Sequence, residues 1–271
     1  MVDGNAPRIR RNHIDQGRDT PMLPTAQSLE GQHVPVVTFK TRDNDEWKNV
    51  TTDDLFRNRT VVAFSLPGAY TPTCSSSHLP RYNELAATFR KFGVDEVVCL
   101  AVNDAFVMAE WKQDQDAANV TLIPDGNGEF TVGMGMLVDK SSLGFGMRSW
   151  RYSMLVRNGV IEKMFIEPDN EGDPFEVSDA DTMLQYMEPG TVAPQPALVF
   201  AKPGCRHCAR AMALLDANGQ DYEIIEQDRH VTARTLRAVS GSNSWPQVFI
   251  GGKLIGNADE LEAHYRNGKT A

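Results

Sequence analysis

Cysteine is scarce in this chain of 271 residues: there are four, too few for a disulfide scaffold at this length. Thiols that are chemical or buried, in a reducing compartment, are therefore expected, and the cytoplasm is the expected location. No apolar run approaches the roughly 18 residues of a membrane-spanning helix. The opening MVDGNAPRIRRNHIDQGRD contains no apolar stretch of a secretion signal either. A soluble, unexported protein without a membrane partner is expected. Basic blocks are also missing. Residues 1–193 carry 18 Lys and Arg against 28 Asp and Glu, and residues 194–271 carry 9 against 8. Phosphate backbones find nothing to grip, so nucleic acid is not an expected partner.

What is present divides the chain in two. Glu188-Pro-Gly-Thr-Val-Ala-Pro-Gln-Pro196 coincides with the change in charge balance and reads as a short, stiff linker over 189–196. Before it, residues 1–30 are a polar arm, and 31–188 hold apolar runs of strand length alternating with amphipathic stretches. These runs are Val61–Leu66, Val97–Val102, Tyr152–Arg157 and Val160–Ile166, the last two joined by Asn158-Gly159 as a tight hairpin. After the linker, 197–271 predict strands over Ala197–Lys202 and Tyr222–Gln227 and helices over Cys205–Ala217 and Val231–Val239. A hairpin of Gln247–Ile250 with Lys253–Ile255 and a last helix from about Ala258 complete a βαβαββα order. That order resembles the thioredoxin-type core, and the first part reads as an elaborated version of it. The fold class is therefore α/β, with two thioredoxin-like folds.

The cysteines fall in unlike settings. Cys74 ends Pro67-Gly-Ala-Tyr-Thr-Pro-Thr-Cys74, where a Pro/Gly turn after a strand meets the start of a helix. Free N–H groups and the helix dipole favour a thiolate there. Thr71 can offer a hydroxyl to the sulfur or to a bound oxygen, and Pro67 and Pro72 restrict the backbone. A cysteine after a turn is, taken alone, more often structural. Cys99 lies inside the apolar run Val97–Val102 and reads as a small buried hydrophobe. Cys205 and Cys208 form a CxxC in Lys202-Pro-Gly-Cys-Arg-His-Cys208, with Cys205 at a helix start near Lys202 and Arg206. This lowers the pKa of Cys205 more than that of the inner Cys208. Zinc is the competing reading of a CxxC, but there is no second CxxC or matching His pair, so no metal is expected.

PxxxTxxC with its surrounding PGAYTPTCSSSHLP resembles the peroxidatic signature of peroxiredoxins, most closely the Prx5-like branch. The resemblance continues through VNDAFVMAEWK, IPDGNGEFT and LGFGMRSWRYSMLV and spans most of residues 30–188. It implies that Cys74 attacks a peroxide and becomes a sulfenic acid. Thr71, Arg151 and the Cys74 N–H would hold the peroxide in line, with Arg148 a candidate neighbour of Arg151. Asp169–Ser178, where many Prx5-like enzymes keep a resolving cysteine, has none. An outside thiol is then required.

Ser244-Trp-Pro-Gln-Val-Phe-Ile-Gly-Gly252 and Gly256-Asn-Ala-Asp-Glu-Leu261 resemble the TVPQVFIGG and GGxDDL segments of glutaredoxins, with SWP in place of TVP and CRHC in place of CP(Y/F)C. The resemblance implies a cis Pro246, a glutathione groove formed by Trp245, Gly256, Asn257 and Asp259, and Lys202 on the glycine carboxylate. The whole resembles hybrids of a Prx5-like peroxiredoxin and a glutaredoxin. It implies peroxides as substrates, glutathione as reducing co-substrate, no bound cofactor, and a homo-oligomer of two or four chains. Alternatives are a thioredoxin-dependent peroxiredoxin with an independent deglutathionylating domain, and a peroxide sensor or holdase.

Overall fold

The computed structural model describes residues 26–43, 46–170 and 172–268. Residues 1–25 of the expected N-terminal arm lie outside the described residues. Among the described residues no helix is long and apolar enough to cross a membrane.

The first part of the chain runs β1 (Thr38–Asp43), β2 (Glu46–Thr51), α1 (Thr52–Phe56) and β3 (Thr60–Leu66). A single π-helical turn, Cys74–His78, then leads into α2 (Leu79–Lys91). Next come β4 (Glu96–Ala101), α3 (Ala105–Asp114), β5 (Thr121–Pro124), α4 (Glu129–Gly133), β6 (Leu137–Asp139), β7 (Met147–Ser149), β8 (Tyr152–Arg157), β9 (Val160–Ile166) and α5 (Ala180–Met187). Five strands form one sheet in the order β5-β4-β3-β8-β9. β3, β4 and β5 are parallel, whereas β8 and β9 are antiparallel additions.

The central strands read as unbroken apolar runs because both faces of the sheet are covered. Val62, Phe64 and Leu66 of β3 face a core with Leu79, Tyr82, Leu85, Trp111 and Met183. Val61 and Ala63 face a second core with Phe39, Phe56, Phe130 and Met154. Asn158 at φ 46° and Gly159 at φ 78° make the expected hairpin turn between β8 and β9. The β1–β2 hairpin and the small β6–β7 pair carry no comparable apolar alternation and were not expected from the pattern.

After residues 188–196, which hold no helix or strand, the chain adds β10 (Ala197–Ala201), α6 (Arg206–Asn218), β11 (Tyr222–Glu226), α7 (Ala233–Ser240), β12 (Gln247–Ile250), β13 (Lys253–Gly256) and α8 (Ala258–Gly268). The sheet order is β11-β10-β12-β13. This is the predicted βαβαββα order, with two shifts at helix starts. α6 begins at Arg206 because Cys205 is the N-cap. α7 begins at Ala233 because Thr232 and Thr235 form a capping box. Val199, Ala201, Cys208, Ala211, Leu215, Val248 and Leu261 close the core.

Candidate functional site

Where β3 leaves the sheet, the chain turns at Pro67-Gly68 and is pinned before it enters the helix. The N–H of Ala69 donates to Oδ1 of Asn103 at 3.0 Å, and the Thr71 hydroxyl donates to the Gly68 carbonyl at 3.0 Å. Tyr70 adopts φ 62°, rare for a residue with a side chain, and its hydroxyl donates to Asp114 at 2.9 Å. Trp111 Nε1–H donates to Ser75 Oγ at 3.0 Å. Two residues of α3 therefore hold the turn from outside. Cys74 lies in the first helical turn, where backbone N–H groups have no intrahelical carbonyl, and it is wholly buried.

Arg151 enters from the residue before β8 and is 1% exposed. Its Nη2 donates to Asp173 at 2.5 Å and its Nη1 to Nδ1 of His78 at 2.9 Å, while Nε is buried without a partner. Burial opposes the guanidinium charge, but the neighbouring Cys74 and Asp173 more than offset it. The segment carrying Asp173 is itself anchored. The buried Glu167 carboxylate accepts the N–H groups of Glu176, Val177 and Ser178 and the Ser178 hydroxyl, at 2.7–3.0 Å. Beside this cluster opens a recess of about 210 Å³ lined by Pro67, Thr71, Pro72, Thr73, Lys140, Leu143, Phe145 and Asp173.

Two expectations need adjustment. Thr71 already spends its proton on Gly68, so toward a bound oxygen it acts as an acceptor. Arg148 donates to the Val102 carbonyl, 46 residues away in sequence, and makes no bond to Arg151. The partners of Arg151, His78 and Asp173, were missed. His78 stands in the quoted helix start, but only its burial reveals its use. Cys99 is buried on β4, and burial first and the nearby Cys74 second push its thiol well above the ordinary range.

The second thiol centre lies at the start of α6. Cys205 is half-buried, and its sulfur accepts the Cys208 N–H at 3.2 Å. Burial opposes ionisation of Cys205. Hydrogen bonds from the Cys208 thiol and from the N–H groups of Cys208 and His207, with the charge of Lys202, outweigh it, so the thiol titrates below its usual range. Burial first, and the bond to Cys205 next, push Cys208 up to about 11. The Trp245–Pro246 peptide is cis, and the Trp245 carbonyl lies 3.9 Å from the Cys205 sulfur. Lys202 and Asp259 are exposed, Asn257 is half-buried and Gly256 is buried at φ 117°.

The expected groove is partly occupied by the protein itself. The Asp259 carboxylate pairs with Arg210 at 2.6 Å, and the Asp259 N–H donates to Asn257 Oδ1 at 2.8 Å. The cause is ordinary helix capping: Asn257 satisfies the orphan N–H groups of α8, and Glu260 accepts the Asn257 N–H. The Asn-x-x-Glu spacing carried that signal in the sequence, whereas Arg210 had none.

Comparison with known proteins agrees with this geometry. Residues 29–184 match the Redoxin family and residues 197–255 the Glutaredoxin family. A hybrid peroxiredoxin of Haemophilus influenzae is 60% identical over 238 residues, covering 88% of this chain and 99% of that protein. A peroxiredoxin of Synechocystis is 57% identical over 185 residues, covering 62% of this chain and 98% of its own. Among solved structures, reduced Prx3 of Vibrio vulnificus in complex with hydrogen peroxide superposes with a TM-score of 0.56 at 37% identity, over 60% of this chain and all of that one. The chain belongs to the redoxin family, as a hybrid peroxiredoxin in which a peroxidase domain is fused to a C-terminal glutaredoxin domain.

Proposed function

We propose that the chain reduces hydrogen peroxide and alkyl hydroperoxides with electrons from glutathione, and that its two thiol centres take successive steps. The observation that carries this reading is Arg151, buried against Cys74 with which it interacts by charge and hydrogen bonding, and keeping a buried Nε that no other group satisfies. A buried donor without a partner costs roughly 1–3 kcal/mol, and a peroxide oxygen or the Cys74 sulfur would satisfy it.

The Cys74 thiolate attacks one peroxide oxygen. The O–O bond breaks, the leaving oxygen takes a proton to become water or an alcohol, and Cys74 becomes a sulfenic acid. Arg151 stabilises the charge on the leaving oxygen, Thr71 accepts the peroxide O–H, and Pro67 shapes the wall. Leu143 and Phe145 line the recess with apolar surface that suits an alkyl tail.

Glutathione then displaces water from the sulfenic acid and forms a mixed disulfide. The Cys205 thiolate attacks the glutathione sulfur, regenerating Cys74, and a second glutathione releases glutathione disulfide from Cys205. Cys208 stays protonated at neutral pH and is dispensable. Lys202, Trp245, Pro246, Gly256, Asn257 and Asp259 form the glutathione site once Asp259 leaves Arg210. That pair is exposed to solvent and contributes little. The peroxidase domain spans 31–188 and the glutaredoxin domain 197–271, and a homo-oligomer in the cytoplasm is the setting that fits this cycle.

Peroxide turnover coupled to glutathione and glutathione reductase, compared with thioredoxin and its reductase, tests the proposal. Cys74→Ser and Cys205→Ser should abolish the glutathione-linked activity and Cys208→Ser should keep it. Full activity with thioredoxin in Cys205→Ser would assign the glutaredoxin domain a separate task. Consumption of about one peroxide per chain with either donor would favour a sensor.

A further inference from the structure

His78 lies four residues beyond Cys74 and is wholly buried. Phe64, Tyr82 and Phe175 wall its ring, with centroids 4.8, 5.5 and 4.9 Å away. A histidine among aromatic rings is ordinarily packing, yet both nitrogens here have a partner. Nε2 lies 3.2 Å from the Ser178 carbonyl, which only accepts, so Nε2 carries the proton. Nδ1 lies 2.9 Å from Arg151 Nη1, which only donates, so Nδ1 is bare. The two partners fix a single neutral tautomer. Burial, and then the charge of Arg151, hold the imidazole pKa well below its ordinary value, so this form persists at neutral pH.

We infer that His78 is a positioning residue for peroxide reduction: its bare Nδ1 sets the inner end of Arg151 against the pull of Asp173, leaving Nε to serve Cys74 and the peroxide. The inference rests on the roles proposed above for Cys74 and Arg151. A neutral acceptor suits the task better than a second carboxylate. Asp173 already offsets part of the Arg151 charge, and another anion on the inner side would draw the guanidinium further from the sulfur. The π-helical turn supplies the spacing. The Leu79 N–H closes onto the Cys74 carbonyl, and residues four apart then share one arginine. Arg151 is thereby held by a group on the same turn as the nucleophile, so movement of that turn carries the sulfur and the inner stop together.

The test uses the full chain, with the Cys74 peptide followed by quenched mass spectrometry. Two rates are compared: oxidation of Cys74 by hydrogen peroxide, which needs Arg151 in place, and its alkylation by iodoacetamide, which does not involve a peroxide transition state. His78→Asn keeps an amide oxygen near the Nδ1 position. His78→Gln carries its amide out to the Nε2 position and loses the Nδ1 acceptor, and His78→Leu has neither. The ratio of the two rates should fall roughly 10- to 100-fold in the Gln and Leu variants, the scale set by a misplaced transition-state donor, and stay within about 3-fold in the Asn variant. An unchanged ratio in the Gln variant, or an equal fall in the Asn variant, would overturn the inference. If His78→Leu does not fold, the Gln and Asn pair still decides. A wild-type Cys74 that does not react with peroxide at all would instead sink the reading of Cys74 and Arg151 on which the inference rests.

Discussion

Cys74 and Cys205 both stand at the start of a helix, yet their surroundings are built from different materials. Around Cys74 the protein uses side chains: Arg151 and Asp173 from far along the chain and His78 from the same turn, with the thiol, the imidazole and the guanidinium all buried. Around Cys205 it uses local groups, the Cys208 thiol and N–H groups within three residues, with only Lys202 adding charge. The difference follows the size of the partner. A peroxide is small enough to enter a closed site, where a fixed charge is barely screened. A tripeptide thiol needs an open surface, where charge is screened and short hydrogen bonds are the more dependable support.

Breaking that contrast most severely requires Arg151→Gln. The rate of Cys74 with peroxide should drop by about 10²–10³-fold, the range typical of a lost charge-stabilising donor, while alkylation of Cys205 is unchanged. Stopped-flow oxidation and timed alkylation measure the two, and parallel losses would erase the distinction. Next in size is Glu167→Gln, which deprives one of the buried donors of Glu176–Ser178 of its best acceptor. Urea unfolding should show a loss of about 1–3 kcal/mol, confined to the larger domain.

Acid should also separate the two centres. The unfolded chain protonates His78 near the ordinary 6.5, and the folded chain does so only well below it. In that window the unfolded state binds more protons, so stability falls as the pH falls, by up to about 1.4 kcal/mol per pH unit for one group. The contribution is fully present above about pH 6.5. Denaturant midpoints of the wild type and His78→Asn between pH 7 and 5 should therefore converge on acidification. The smallest effect sharpens the other side of the comparison. Lys202→Ala should move the Cys205 titration upward, measured by the pH dependence of its alkylation, and leave the Cys74 peroxide rate alone.

The sequence made four of the five strands of the larger sheet legible, because its buried central strands leave continuous apolar runs, whereas the short β5 went unread; Asn158-Gly159 names its own turn. It also exposed the thiols, since the Thr71–Cys74 and Cys205–Cys208 spacings are local. What stayed hidden is non-local. His78 reaches Arg151 across 73 positions and Ser178 across 100, and no short window holds such a pair. Asp173 lay within Asp169–Ser178, whose missing cysteine was informative while its carboxylate was not. Glu167 follows the strand run directly, and nothing local in the sequence marks the backbone N–H groups of Glu176–Ser178 as its partners.

The π-helical turn also sets how the chain tolerates a change of length. It accommodates one residue more than an α-helical turn, in which N–H groups bond four rather than five positions back. Deleting Ser76 would let α2 continue upstream as a regular helix with its packing on Leu85 and Phe89 intact. The same deletion would leave Cys74 three positions before His78 instead of four and remove the wide closure of the Leu79 N–H onto the Cys74 carbonyl. A single lost codon there should give a folded protein with normal unfolding behaviour and slower peroxide chemistry, because the spacing by which Cys74 and His78 share Arg151 is changed.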